Sequence, residues 1–196
     1  MPVLPPISMD MDGVICTPFL GKNIAISRKL TLPPLPASVR ESGPEGRRAY
    51  QRLRHRWEMV RYMGRRPLPG IREELEAITR VRRPVLVTGR SWFARRLIHH
   101  WLERFELAGY FDKVLPNNTD LATSQFKLWT ARRLGHNEHV DDDGSVAYYM
   151  ANQGVRIFLR DWPRNRGLPY PANVTVYKRL EEVAEILASE DMRAGA

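Results

Sequence analysis

The chain has 196 residues, 43% of them hydrophobic and 27% charged, with a mean hydropathy of −0.43 and a formal net charge of +9. That length suits one domain with a buried core, and no apolar run is long enough to span a bilayer. A single cysteine, Cys16, excludes an internal disulfide framework, and the first residues lack the basic start and long apolar stretch of a signal peptide, so a cytoplasmic protein is expected.

The first predicted strand, about 7–10, ends in Asp10-Met-Asp12-Gly. Two carboxylates this close repel, and each loses solvation if the sheet is buried. A hard divalent cation with oxygen ligands would compensate them, and an ordinary solvated Asp-Gly turn is the alternative. Cys16 reads as core filler, because no histidine partner lies near it in the sequence.

Residues 17–45 are rich in Pro, Ser and Gly and read as irregular structure. A helix is predicted over 46–63, where Tyr50, Leu53, Trp57 and Val60 fall at helical spacing with arginines on other positions. Gly64 and Pro67 end it. Residues 17–70 hold twelve Lys or Arg against three acids, a surplus equal to the whole net charge of the chain. Such a local positive field attracts anions, whereas a solvated helix face is the plainer use of the same arginines.

From Pro67 onward helices and strands alternate. Helix 70–80 leads to strand 84–88, helix 91–106, a short strand near 112–115 and helix 124–134. A strand ending near Val140, helix 144–153, strands 155–159 and 173–177 and helix 179–188 complete the pattern, with frayed final residues. Thr123 and Ser124 signal one helix start, and Gly135 and Gly154 signal helix ends. The alternation predicts an α/β fold, a three-layer Rossmann-like parallel sheet covered on both faces. Such sheets bind ligands beyond the carboxyl ends of their strands.

Those ends carry the chemistry. The first presents Asp10 and Asp12, the second Thr88-Gly89-Arg90-Ser91, and the strand near 140 ends in Asp141-Asp142-Asp143-Gly144. Lys127 falls in the first turn of a helix, where a cation opposes the dipole. Carboxylates, a hydroxyl, helix-start N–H groups and one lysine suit phosphoryl transfer: cations for charge, donors for phosphate oxygens and a carboxylate to attack. His99 and His100 read as a helix surface, His136 and His139 as loop or strand-edge residues, and Trp92, Trp101 and Trp129 as core or groove packing.

With these motifs in this order, the chain resembles the haloacid dehalogenase superfamily of hydrolases. Asp10-Met-Asp12-Gly-Val-Ile is similar to the first family motif, Val85-Leu-Val-Thr88-Gly-Arg to the second, Lys127 to the third and Val140-Asp141-Asp142 to the fourth. The resemblance implies Asp10 as a nucleophile that forms an aspartyl-phosphate and Asp12 as the acid that protonates the leaving oxygen and then activates water. It implies Thr88, Gly89 and Lys127 as phosphate binders. Asp10, the Asp12 carbonyl and the acids Asp142 and Asp141 would hold Mg2+, with Asp142 as direct ligand and Asp141 in support. The second acid, Asp12, points to the phosphatase branch.

By the same resemblance, residues 1–16 and 67–196 form the catalytic core, and 17–66 form an inserted basic cap that selects substrate. Arg52 and Arg56 on the predicted cap helix, with Arg90, are candidate substrate contacts. Leu159-Arg-Asp161-Trp-Pro-Arg-Asn165 is similar to a stretch in 5′(3′)-deoxyribonucleotidase-like members, which favours a nucleotide or a similar small anionic phosphate ester. A Thr-Gly-Arg second motif is shared with polynucleotide 3′-phosphatases, for which the arginine-rich helix would track nucleic acid. A phosphate- or nucleic-acid-binding scaffold without turnover is the third alternative. No membrane partner is expected.

Overall fold

The computed structural model describes residues 4–18, 65–119 and 121–194, with Leu30 and Arg56 between them. Six strands form one all-parallel sheet: β1 (Pro6–Met9), β2 (Arg83–Ser91), β3 (Lys113–Asn117), β4 (Glu138–Asp141), β5 (Arg156–Arg160) and β6 (Val174–Tyr177). Their order is β3-β2-β1-β4-β5-β6, so β1 is central and the chain reverses its direction of travel between β1 and β4. That reversal opens a crevice at the carboxyl ends of β1 and β4.

The helices lying wholly within the described residues are α1 (Ile71–Thr79), α2 (Arg95–Arg104), α3 (Thr123–Leu134), α4 (Gly144–Ala151) and α5 (Leu180–Ala194). Alternate strand residues face opposite layers. Met9, Leu86, Val140 and Phe158 pack with Leu75 and Ile78 of α1, Ile98 and Leu102 of α2, and Val183 and Leu187 of α5. On the other side, Ile157 and Leu159 meet α4, while Val85 and Val87 meet Phe126 of α3. Burial on both faces is why the strands read as nearly continuous apolar runs. Leu75 is fully buried in the larger layer, so Leu75→Ala would cost about 2–5 kcal/mol.

The structure differs from the sequence reading at the ends of three elements, β2, α2 and α5. β2 runs on to Ser91 through a register shift between Thr88 and Ser91. A short 3-10 turn, Trp92–Ala94, follows it and delays α2 to Arg95. The Ser91 hydroxyl accepts the Phe93 N–H there, and that local bond competes with helical pairing. α5 continues to Ala194 because Arg156 pairs with Glu190 (Nη2 to Oε1, 2.8 Å) and Arg82 pairs with Asp191 near its end. The predicted cap helix 46–63 lies outside the described residues apart from Arg56, which is helical and exposed.

Candidate active site

Asp10 follows β1 directly, and its N–H donates to the Val140 carbonyl at 2.9 Å, which ties the ends of β1 and β4 together. Asp10, Asp141 and Asp142 are all buried and each contributes a carboxylate oxygen within 4.8 Å of the others. Gly13 makes this approach possible. It turns the chain at φ 70°, and a Cβ there would strike the Asp142 carboxylate.

The three carboxylates have different surroundings. Asp141 accepts four hydrogen bonds: Lys127 Nζ at 2.7 Å and His139 Nε2 at 2.8 Å on Oδ2, and the Asp142 and Asp143 N–H groups at 2.9 and 3.0 Å on Oδ1. Burial works against its ionisation, but Lys127 and His139 outweigh burial and hold it well below the usual carboxylate range. Asp10 has weaker support. Its Oδ1 lies 3.2 Å from Lys127 Nζ without an aligned hydrogen bond. Burial, opposed by Lys127 and assisted by Asp141, pushes its carboxyl up to about 6.

Asp142 is pushed further, to about 8, by burial and by Asp141 and Asp10, even though Arg164 Nη2 donates to its Oδ2 at 3.0 Å. Arg164 Nη2 and Asn165 Nδ2 both donate to the Asp142 carbonyl at 2.9 Å, so the turn after β5 grips this residue. Asp143, the third aspartate of the run, is the N-cap of α4 and accepts the Ser145 and Val146 N–H groups. The start of α4 is therefore capped from within, whereas the sequence suggested open N–H groups there.

Lys127 is buried in α3 with its ammonium between Asp10 and Asp141. Burial alone would discharge it, but the two carboxylates hold its proton affinity above that of an ordinary lysine. Thr88 is buried near the end of β2, and its hydroxyl accepts the Arg90 N–H at 3.3 Å. Gly89 faces Thr123 so closely that a Cβ would collide with that side chain, which allows the start of α3 to close against β2.

Asp12 belongs to a second cluster. Arg90 grips it with two hydrogen bonds, Nε to Oδ2 at 2.9 Å and Nη2 to Oδ1 at 2.7 Å, and the Arg65 guanidinium also pairs with its Oδ1. Arg90 and Arg65 are both nearly buried. Burial, together with Arg90, lowers the Arg65 guanidinium to about 10. The Arg65 carbonyl accepts the Trp101 indole N–H at 3.1 Å, so α2 anchors the backbone that carries this arginine.

Structural comparison identifies the fold that carries these residues. No protein-family model matches the sequence, and no curated protein matches it. Among solved structures, a putative phosphoglycolate phosphatase from Lactobacillus plantarum superposes with a TM-score of 0.62 at 13% identity, covering 94% of this chain and 99% of that one. A haloacid dehalogenase-like hydrolase from Streptococcus pneumoniae gives 0.58 at 15% identity, covering 93% and 98%. D,D-heptose 1.7-bisphosphate phosphatase from B. bronchiseptica, determined with magnesium and phosphate, gives 0.55 at 19% identity, covering 95% and 99%.

This is the haloacid dehalogenase-like fold.

Within it, three of the four sequence motifs lie at the ends of β1, β2 and β4, and the third, Lys127, lies on α3. Asp10, Lys127, Asp141 and Asp142 meet directly, and Asp12 and Arg90 pair beside them. Arg52 lies outside the described residues, and Arg56 is exposed with no described contact to the site. The donor set fits a hard divalent cation: all ligands are oxygens, and one of them, Asp10 Oδ1, is buried without a hydrogen-bond donor. Asp10 and Asp142 are the residues able to hold such an ion, since both oxygens of Asp141 are already occupied by donors.

Two readings of single residues need correction. His139 is neither loop nor strand edge. It is fully buried in β4 next to β1, with Ser8 Oγ 2.9 Å from Nδ1 and Asp141 Oδ2 2.8 Å from Nε2. The period-2 relation of His139 to Asp141 was the available signal, because both side chains must leave the same face of β4. Of the three tryptophans, Trp101 is buried, but Trp92 and Trp129 are 45% and 41% exposed. Arg65 and Arg164 were missed as site residues because their partners, Asp12 and Asp142, are distant in sequence. Asn165 was noticed only as the end of the nucleotidase-like stretch Leu159–Asn165.

Proposed function

We propose that this protein is a Mg2+-dependent phosphomonoesterase acting through an aspartyl-phosphate, with a nucleotide or similar base-bearing phosphate ester as substrate. The observation that carries the reading is the buried arrangement of Asp10, Lys127 and Asp141 with Asp12 two residues along. A phosphate-binding scaffold would have no use for a buried carboxylate that repels its ligand, whereas a nucleophile must sit there.

Asp10 attacks phosphorus, the ester P–O bond breaks, and Asp12 gives its proton to the departing oxygen. Asp12 then takes a proton from water, whose oxygen attacks phosphorus, breaks the acyl-phosphate bond and returns Asp10. Lys127, with the Thr88 hydroxyl and the Gly89 backbone, holds the phosphate oxygens. Mg2+ held by Asp10, the Asp12 carbonyl and Asp142, with Asp141 in support, would supply positive charge against the phosphoryl oxygens. Arg65 and Arg90 hold the Asp12 carboxylate in place beside Asp10.

The substrate class is supported by the lip beyond β2. Trp92 and Phe93, 45% and 42% exposed, follow Arg90 by two and three residues, and Arg95 lies 4.6 Å over the Trp92 ring. An exposed indole two residues after Arg90 suits stacking of a base. The exposed surface continues along α2 through Arg96, His99 and His100. That continuation favours a second reading, in which the ester is the phosphorylated 3′ end of a nucleic acid.

Phosphate release with Mg2+ should be followed on nucleoside monophosphates, sugar phosphates and 3′-phosphorylated oligonucleotides, with Asp10→Asn as control. Release from a base-bearing ester, abolished in Asp10→Asn, is expected. A preference for oligonucleotides selects the second reading, and unchanged turnover in Asp10→Asn overturns the mechanism.

A further inference from the structure

A fully buried chain of polar groups runs into the site from behind. Ser8 Oγ on β1 lies 2.9 Å from His139 Nδ1, His139 Nε2 lies 2.8 Å from Asp141 Oδ2, and the same oxygen accepts Lys127 Nζ at 2.7 Å. Ser8 and His139 are register partners on neighbouring strands, so the sheet itself sets their approach. The chemistry proposed above uses Lys127 and Asp142 and leaves His139 without a part.

An imidazole at 0% exposure is a poor packing element, since an aliphatic side chain would fill the same space without polar atoms to satisfy. What it contributes is a donor. Asp141 is the junction of the site: Oδ2 holds Lys127, and Oδ1 accepts the N–H groups of Asp142 and Asp143, shaping the turn that presents the Asp142 carboxylate. A carboxylate has one soft torsion, and its rotation would move both dependants together. His139 blocks that rotation by fixing Oδ2 from the side away from the crevice. It also shares the charge of Oδ2, so that Lys127 stands between Asp141 and Asp10.

We propose that His139 is a positioning residue that sets Lys127 and Asp142 through Asp141. The proposal rests on the phosphatase reading, but its test does not depend on turnover alone. Inorganic phosphate binding in magnesium buffer is measured by calorimetry for the wild type, His139→Leu and His139→Gln, alongside kcat, KM and thermal midpoints. His139→Leu removes the donor, and loss of one hydrogen bond to a buried charge corresponds to about tenfold or more in phosphate affinity and in kcat. The Gln amide reaches the position of Nε2 and can donate to Asp141, so His139→Gln should stay within about threefold of wild type.

A purely structural role would lower the thermal midpoint in both variants and leave phosphate affinity and kcat per folded molecule unchanged; that result overturns the proposal. Should His139→Leu fail to fold, Ser8→Ala decides. It frees the ring at its outer nitrogen and should weaken phosphate binding in the same direction, and unchanged binding overturns the proposal. Loss of positioning in an active enzyme is distinguishable from failure of the phosphatase reading, which would appear as a wild type without turnover.

Discussion

Arg90 meets Asp12 side on, with Nε on one carboxylate oxygen at 2.9 Å and Nη2 on the other at 2.7 Å. Two parallel bonds from one planar group fix the carboxylate in both distance and orientation, which a lysine cannot do. Arg65, shortly before α1 in the chain, approaches the same carboxylate.

Replacing the fork tests whether orientation matters beyond charge. Arg90→Lys keeps the charge and loses one of the two bonds, so kcat/KM for phosphate release should fall by about tenfold or more, as expected for a hydrogen bond to a charged group. Steady-state kinetics would check it, and wild-type kcat/KM in Arg90→Lys would mean that charge alone suffices.

The carboxylate cluster makes a signed prediction for stability against pH. In the absence of divalent metal, Asp10 and Asp142 carry raised proton affinities, to about 6 and about 8. The folded state then holds protons that the unfolded state has released, so their stabilisation is complete below the unfolded carboxylate range and is lost as pH rises through those values. His136 and His139, both lowered by burial, act in the opposite sense only where an unfolded histidine is protonated. That opposition fades above about pH 6.5, as the unfolded histidines lose their protons. Between pH 6.5 and 8 stability should fall by up to about 1.4 kcal/mol per pH unit, or about 2–4 °C in thermal midpoint per kcal/mol. Asp142→Asn should flatten this slope, and Mg2+ should flatten it in the wild type by holding the carboxylates charged. An equal slope in Asp142→Asn would show that another group causes it.

The exposed indole gives a test of substrate class. Trp92→Ala should raise KM for a nucleoside monophosphate by about tenfold, the scale of one stacked base, and leave KM for a sugar phosphate unchanged. Equal effects on both would remove base stacking from the account.

The closure of α3 on β2 depends on the missing side chain at Gly89, since a Cβ would collide with Thr123. Gly89→Ala should therefore destabilise the protein by about 1–3 kcal/mol, read as a lowered thermal midpoint. Thr123→Ala in the same chain should recover part of the loss by removing the two atoms that approach most closely. Additive effects of the two changes would exclude this contact as the cause.

Much of the fold was legible because its signals are local. β2 and β5 carry unbroken apolar runs, Gly135 stands at the left-handed end of α3 with φ 68°, and strands alternate with helices along the core. The parallel sheet follows from that alternation. The errors have one local and one long-range cause: the Ser91 turn delayed α2, and ion pairs from Arg156 and Arg82 to Glu190 and Asp191 extended α5 past the point where its apolar pattern fades.

By itself the sequence determined the list of candidate site residues. Asp10, Asp12, Thr88, Lys127, Asp141 and Asp142 were identifiable because strand ends before turns and helix starts are positions that a linear pattern specifies. Which carboxylate does what was decided only by the tertiary structure. Three adjacent aspartates are alike on paper, yet one is held by Lys127 and His139, one by Arg164 and one caps α4. Charge state and orientation depend on burial and on partners many residues away, and the sheet brings those together through hydrogen bonding between strands that adjacency in sequence does not encode.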